Sequence, residues 1–216
     1  MRSINSSGKI IFSLVLSFHF LLALADPPVA SSVSITTGPF VPTDIILGSY
    51  TYSDADGDPE SGTLIQWYVN TSPTSVGASL VTSGTLSFFV TSGYRGNFIA
   101  MAVTPDNAVD GPGSRVFSNW ELINARPQAT DDNYINQSDE GETLSISAPG
   151  VLSNDNSGGD GQTIQAYEVT GPDHGILTLN TNGSFDYEHD GSESHTDDFT
   201  YRVYDGYEYS LSLIHI

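Results

Sequence analysis

Short runs of alternating apolar and polar residues, separated by turn-forming residues, fill the segment 33–123. Apolar residues do not recur there at the three- to four-residue spacing of an amphipathic helix. Because alternation with a period of two sends successive side chains to opposite faces of a strand, the pattern predicts β-structure. We therefore expect an all-β chain. A change in sequence pattern near Pro127 divides it into two tandem β-sandwiches.

Six strands are predicted in this first segment, at 33–36, 45–52, 64–69, 86–90, 98–103 and 115–123. Two of them have a clearly apolar face, which suits the interior of a sandwich. The residues on these two faces are Ile99, Met101 and Val103, and Ile65, Trp67 and Val69.

The N-terminus has the pattern of a secretory signal. Arg2 and Lys9 precede an apolar run at 10–22, which closes on small residues at 23–25. A run of about 13 apolar residues is too short to span a bilayer as a helix. Residues 1–25 are therefore predicted to be a signal peptide. The mature chain is expected to be secreted, attached at the cell surface and without a membrane span.

Charge is strongly unbalanced, with 26 acidic and six basic residues. Loss of the signal would leave four arginines and a net charge near −22. Such a surface repels nucleic acid and anionic membranes and attracts divalent cations. The chain has no cysteine, so calcium is the expected substitute for disulfides. The alternative is that the acidity only maintains solubility.

Three motifs in the first segment carry a family resemblance, at 50–58, 66–68 and 96–105. With them, residues 32–125 resemble the immunoglobulin-like repeats of bacterial surface proteins. The resemblance implies that Trp67 is a core residue of the third strand and that Tyr94 is a corner tyrosine.

A boundary is predicted around Pro127, with residues 126–128 as the linker. Beyond it, residues 129–210 resemble the cadherin-like (VCBS-type) repeats of bacterial adhesins. The motifs that carry this resemblance lie at 131–134, 148–155, 171–180, 182–187 and 198–206. Independently of any family, Asn182-Gly183 between two alternating runs predicts a hairpin.

The last six residues, 211–216, resemble the translation of a sequencing adapter rather than the Thr/Val-rich strand of the family. We therefore expect the second sandwich to be truncated before its last strand. Reading the gene past codon 210 tests this expectation.

Calcium ligands in the second module are implied by the cadherin-like resemblance, because calcium takes six to eight oxygen ligands from flexible acidic loops. The implied positions are Asp131, Asp132, Asn154, Asp155, Asp160 and Asp205, with Asp139 and Glu140 as weaker candidates. The segment 156–159 interrupts the acidic loop, which predicts weak affinity, on the order of 0.1 to 1 mM.

In the first module, Asp54, Asp56, Asp58 and Glu60 occupy alternate positions along a loop and could turn toward one ion, with the three aspartates as the expected ligands. The loop is not an EF-hand, because Ile65 occupies the position that requires a bidentate glutamate. The alternative is a solvated turn between strands.

No catalytic motif is present, and His174, His189 and His195 lack the spacing of a zinc site. The sequence predicts a non-catalytic, calcium-binding module pair of a bacterial adhesin or stalk. Its expected partners are calcium ions, neighbouring repeats, and a host or matrix glycan or protein. One alternative is an accessory role in a large secreted enzyme, such as a polysaccharide hydrolase or protease. Another is direct carbohydrate binding by Tyr207 and Tyr209.

Overall fold

The computed structural model describes residues 26–135 and 141–216. The predicted signal peptide, 1–25, and the weaker ligand candidates Asp139 and Glu140 lie outside the described residues. Within the described part there are fifteen β-strands, and its helical segments are the 3-10 turns Ser92–Tyr94 and Gly150–Leu152. No helix in these two ranges is long and apolar enough to cross a membrane.

The first domain is a sandwich of two antiparallel sheets. One sheet has the order β1-β2-β5, and the other has the order β4-β3-β6-β7, with β8 also pairing with β6. This is the two-sheet arrangement of an immunoglobulin-like fold, with the fourth strand placed beside the third. The strands are β1 (Val29–Ile35), β2 (Ile45–Ser53), β3 (Leu64–Asn70), β4 (Ser79–Ser83), β5 (Ser87–Phe89), β6 (Phe98–Thr104), β7 (Val116–Phe117) and β8 (Glu121–Leu122).

Most predicted strands are confirmed, but two details differ. The predicted strand at 115–123 is divided into β7 and β8, because the Ser118 hydroxyl accepts the N–H of Met101 at 3.0 Å in place of a backbone carbonyl. Strand β4 is absent from the prediction. It lies at a sheet edge with Leu80 52% exposed, so it lacks the apolar alternation of a half-buried strand.

The predicted inward faces are confirmed. Ile99, Met101, Val103 and Trp67 are fully buried, and the indole N–H of Trp67 donates to the carbonyl of Thr85 at 2.9 Å. Packing is close where the two sheets meet. A Cβ added at Gly48 would lie 2.2 Å from the sulfur of Met101, so this position admits no side chain without displacement of the core.

The second domain is also a two-sheet sandwich. Its sheets have the orders β10-β13-β12 and β11-β14-β15-β9, and β9 pairs with β15 in parallel. The strands are β9 (Asp132–Asn133), β10 (Thr143–Ile146), β11 (Gln165–Thr170), β12 (Gly175–Leu179), β13 (Phe185–His189), β14 (Asp198–Tyr204) and β15 (Tyr209–His215). The predicted Asn-Gly hairpin is confirmed as β12–β13, and Gly183 supplies the positive φ of +85°.

Aromatic side chains fill the core of this domain. Phe185 packs edge-on against Phe199 with ring centroids 5.6 Å apart, and both rings are buried. The hydroxyls of the buried tyrosines Tyr187 and Tyr201 each find acceptors inside the domain. A core without cysteine is therefore built from aromatic rings and satisfied phenols.

The C-terminal residues differ from the expectation of a missing last strand. Residues 211–215 form most of β15, which pairs along its whole length with β14. Their alternation explains this, because Ile214 is fully buried whereas Leu211 is 67% exposed. The adapter origin of these residues stays a prediction.

Candidate metal sites and the joint between the domains

The structure divides the predicted calcium ligands among three places. Asp54, Asp56 and Asp58 lie together at one end of the first domain, where Asp110 joins them. In the second domain, Asp132 and Asp155 contact the hydroxyl of Tyr201, and the residues before each of them, Asp131 and Asn154, bond to each other. Asp160 and Asp205 contact Ala125 and Asn124, directly before the predicted linker at 126–128.

Asp110 completes a group of four carboxylates in the first domain. One carboxylate oxygen from each of Asp54, Asp56, Asp58 and Asp110 lies within 4.8 Å of the others. The sequence analysis missed Asp110, because it comes from a loop more than fifty residues further along the chain. A bridge between Glu60 and Asn107 holds the two loops together.

Backbone geometry orients Asp54. Its Oδ1 accepts the N–H groups of Asp56, Gly57 and Asp58 at 3.2, 3.0 and 3.1 Å. A hydrogen bond from the Asp56 carboxyl and these N–H donors lower the pKa of Asp54. The same shared bond raises the pKa of Asp56 to about 6. One proton shared by two carboxyls relieves a repulsion that a cation would also relieve.

Asp110 is held at the inner side of the group. Its Oδ2 accepts from the amide of Asn107 at 3.1 Å, and its N–H donates back to Asn107 Oδ1 at 2.6 Å. Its Oδ1 is inaccessible to solvent and has no hydrogen-bond partner among the described residues. A buried carboxylate oxygen without a donor is costly, and a bound cation would satisfy it.

In the second domain, Tyr201 connects two of the predicted ligands. Its buried hydroxyl lies 2.7 Å from Asp155 Oδ2 and 3.2 Å from Asp132 Oδ2, and also 2.7 Å from the carbonyl of Val151. Burial raises the pKa of Asp132 to about 6 and raises the pKa of Asp155 as well. Two carboxylates that share one phenol form a polar centre inside the domain that a cation could also satisfy.

The neighbouring predicted ligands hold the start of the domain in place. Asp131 Oδ1 accepts from the Leu213 N–H at 2.9 Å and from the Ser212 hydroxyl at 3.0 Å, and these bonds lower the pKa of Asp131. The amide of Asn154 donates to the carbonyl of Asp131 at 3.2 Å. In this structure both residues fasten the entry segment to β15 and to the loop that precedes Asp155.

Asp160 and Asp205 accept hydrogen bonds from the two residues directly before the linker. Asp160 Oδ2 accepts the N–H of Ala125 at 2.8 Å, and Asp205 Oδ2 accepts from the amide of Asn124 at 3.0 Å. Asp205 Oδ1 also accepts the N–H groups of Tyr207 and Glu208, both at 2.8 Å. Asn124 is fully buried, and its Oδ1 has no partner within the described ranges.

An ion pair crosses the joint between the domains. Both terminal nitrogens of Arg95, in the first domain, contact the carboxylate of Glu208 in the second, with Nη2–Oε1 at 2.7 Å. The bond with Arg95 lowers the pKa of Glu208. Arg126 Nε adds a bond to the carbonyl of Tyr209 at 2.8 Å. A Cβ at Gly158 would lie 2.4 Å from the carbonyl of Arg126, so the loop packs directly on the linker.

His174 lies in a turn, whereas His189 is the last residue of β13. The N–H of His174 donates to Asp197 at 2.8 Å, and His189 Nδ1 accepts the N–H of Gly191 at 3.0 Å. These contacts agree with a turn role for His174.

Residues 124–214 match the model of the bacterial cadherin-like domain. The match begins at the linker and extends into β15, beyond the predicted range of 129–210. A search of curated proteins returns no match.

Similar solved structures include an I-band fragment of titin, I67–I69, at 9% identity and a TM-score of 0.42, covering 88% of this chain and 65% of that one. Drosophila N-cadherin EC1-4 matches at 13% identity and a TM-score of 0.29, covering 89% of this chain and 51% of that one. A glycoside hydrolase family 107 endo-fucoidan hydrolase, MfFcnA9, matches at 16% identity and a TM-score of 0.29. The match covers 88% of this chain and 34% of that one. This chain thus spans less than two thirds of each of these chains. Over residues 124–214, the second domain is therefore similar to the bacterial cadherin-like domain.

Proposed function

We propose that the two domains are a non-catalytic, calcium-binding module pair of a bacterial surface adhesin or stalk. The observation that carries the proposal is the group Asp54, Asp56, Asp58 and Asp110, with the buried and unpartnered Oδ1 of Asp110. In this role, bound calcium stiffens the domains and keeps neighbouring repeats at a fixed spacing.

The chemistry of the group suits calcium. Calcium prefers carboxylate and carbonyl oxygens at about 2.3 to 2.6 Å and tolerates irregular geometry. The four carboxylates are partly exposed, so water would supply the remaining ligands. Neutralising them removes mutual repulsion in a chain whose formal net charge is −20.

In the second domain, Asp132 and Asp155 lie close to the same phenol, and Asp131 precedes them on the entry segment. The match of residues 124–214 to the bacterial cadherin-like domain supports calcium binding at these residues and an extracellular, adhesion-type role. A signal peptide at 1–25 would deliver the chain to the cell surface, where calcium concentrations match weak sites. A host or matrix glycan or protein would be the outer partner.

The test is differential scanning calorimetry of residues 26–216 with 10 mM calcium and with chelator. For a dissociation constant of about 0.1 to 1 mM, calcium should stabilise the first domain by roughly 1.4 to 2.7 kcal/mol. That corresponds to a rise in melting temperature of about 5 to 20 °C.

Two variants make the test specific. Asp110→Asn should abolish the calcium-dependent shift of the first domain. Asp106→Asn removes the same charge from the same loop but outside the group, so it should retain the shift. The proposal fails if calcium shifts neither transition, or if Asp110→Asn responds as the unsubstituted protein does.

A further inference from the structure

The outer face of the second domain carries a cluster of tyrosines around one arginine. Tyr204 and Tyr209 pair across β14 and β15, and their rings stack with centroids 4.4 Å apart and planes at 20°. Tyr167 on β11 meets Tyr204 edge-on at 6.2 Å. We call these residues, together with Arg202, the tyrosine–arginine face.

Arg202 is held by aromatic rings rather than by an acid. Its guanidinium carbon lies 4.3 Å from the ring centre of Tyr209 and 5.8 Å from that of Tyr167. The side chain is exposed, and no ion pair joins it to a carboxylate among the described residues. Cation–π contacts orient the guanidinium and leave its N–H donors available.

A second exposed cation lies beside the same tyrosine. Arg126 uses its Nε for the carbonyl of Tyr209, and its terminal nitrogens have no carboxylate partner in the described part of the chain. The described residues contain four arginines and 26 − 2 = 24 acidic residues, since Asp139 and Glu140 lie outside them. Two of these four arginines contact the exposed Tyr209, Arg202 at its ring and Arg126 at its backbone carbonyl, and Arg126 also lies close enough to Glu208 to lower the pKa of that carboxyl.

The remaining surface is suited to a flat, polar ligand. Tyr209 and Tyr207 are 41% and 43% exposed, and neither hydroxyl has a hydrogen-bond partner among the described residues. Leu211, opposite Arg202 in the strand register, is 67% exposed. Aromatic rings present large, rigid contact areas with a polar tip at little conformational cost.

We propose that the tyrosine–arginine face binds an acidic polysaccharide. Sugar rings would lie against Tyr209 and Leu211, while Arg202, with Arg126 beside the same strand, pairs with carboxylate or sulfate groups. The planar guanidinium matches both anions with two parallel N–H bonds. The charge complementarity selects an acidic polymer over a neutral one, and the open row of rings selects sugars over a folded protein surface.

The test is affinity gel electrophoresis of residues 26–216 in gels that contain polygalacturonate, dextran sulfate or neutral dextran. Chelator is present throughout, which removes calcium bridges between acidic protein and acidic polymer. The protein should be retarded by at least one of the two acidic polymers and not by dextran. Because the protein as a whole repels polyanions, any retardation requires a local site.

Arg202→Gln should weaken this binding at least tenfold, and Tyr209→Ala should do the same. Arg115→Gln is the matched control, because Arg115 also lies over a tyrosine, 5.7 Å from the ring centre of Tyr68, but in the first domain. It should bind as the unsubstituted protein does. Thermal midpoints of all variants are compared, and a folded Arg202→Gln that still binds fully overturns the proposal.

Three further results would also overturn it. The first is the absence of retardation by both acidic polymers. The second is equal loss of binding in Arg115→Gln. The third is concentration-dependent self-association of the protein that Arg202→Gln abolishes, because the face would then bind acidic loops of another copy.

Discussion

Replacing Tyr201 by phenylalanine isolates the hydroxyl that joins the buried carboxyl of Asp132 and the half-buried carboxyl of Asp155. The tyrosine is fully buried, so the ring keeps its packing and only the polar contacts are lost. Those contacts are with Asp155 at 2.7 Å, with the carbonyl of Val151 at 2.7 Å and with Asp132 at 3.2 Å.

The expected cost follows from these acceptors. A hydrogen bond to a charged acceptor contributes about 1.5 to 3 kcal/mol, and its loss leaves the half-buried Asp155 Oδ2 without this donor. We expect Tyr201→Phe to lower the free energy of unfolding of the second domain by about 2 kcal/mol. For a domain of this size the melting temperature should fall by roughly 8 to 16 °C.

Calorimetry of residues 26–216 in chelator measures the change. Both tryptophans, Trp67 and Trp120, lie in the first domain, so tryptophan fluorescence assigns its transition and the other transition belongs to the second. Tyr204→Phe is the control, since that hydroxyl bonds to the carbonyl of Gly206 at an exposed turn. The control should change stability by less than about 0.5 kcal/mol.

The reasoning is refuted if Tyr201→Phe lowers the second transition by less than about 2 °C, or if Tyr204→Phe lowers it equally. Either result would mean that the buried phenol does not satisfy the carboxyls. It would also remove the physical basis for treating Asp132 and Asp155 as one polar centre.

Three other predictions concern the joint, the acid response and the core. A double-mutant cycle of Arg95→Gln and Glu208→Gln, followed by urea unfolding, should give a coupling energy of about 1 kcal/mol; an additive pair would contradict a joint held by this contact. The folded-state pKa of Asp132, about 6 against an ordinary 3.8, means that its stabilising contribution is present below about pH 4 and is lost as the pH rises to about 6. In chelator, Asp132→Asn should flatten that part of the pH–stability curve, and an unchanged slope would contradict the assignment. Gly48→Ala should destabilise the first domain by about 1 to 3 kcal/mol, because the new methyl group collides with Met101. A melting temperature within about 1 °C of that of the unsubstituted protein would contradict this, because the core would then accommodate the methyl group without cost.

Much of the fold could be predicted because alternation determines which side of a strand is buried. Met101 and Trp67 lie inward as their alternation predicts, and Asn182-Gly183 forms its hairpin because the turn chemistry is local. Strand β4 could not be predicted, since an edge strand has few buried contacts to leave a pattern in the sequence.

The candidate sites were predictable only in part, because they assemble from distant segments. Spacing within one loop identified Asp54, Asp56 and Asp58, but not Asp110, which the fold brings from another loop. Composition likewise gave no sign that Glu208 pairs with Arg95 across the joint. Long-range pairing of this kind depends on sheet register, which a single sequence specifies only through the whole fold.

The parallel pairing of β9 with β15 has a mechanical consequence. The first and last strands of the second domain are neighbours, paired at Asp132 with Ile214 and at Asn133 with His215. The first domain has a similar parallel bridge between Phe40 and Ile123. Tension along the chain would therefore load these backbone hydrogen bonds together, in shear, rather than peel them apart one at a time. A tethered array of such domains would resist extension most strongly at its entry and exit strands.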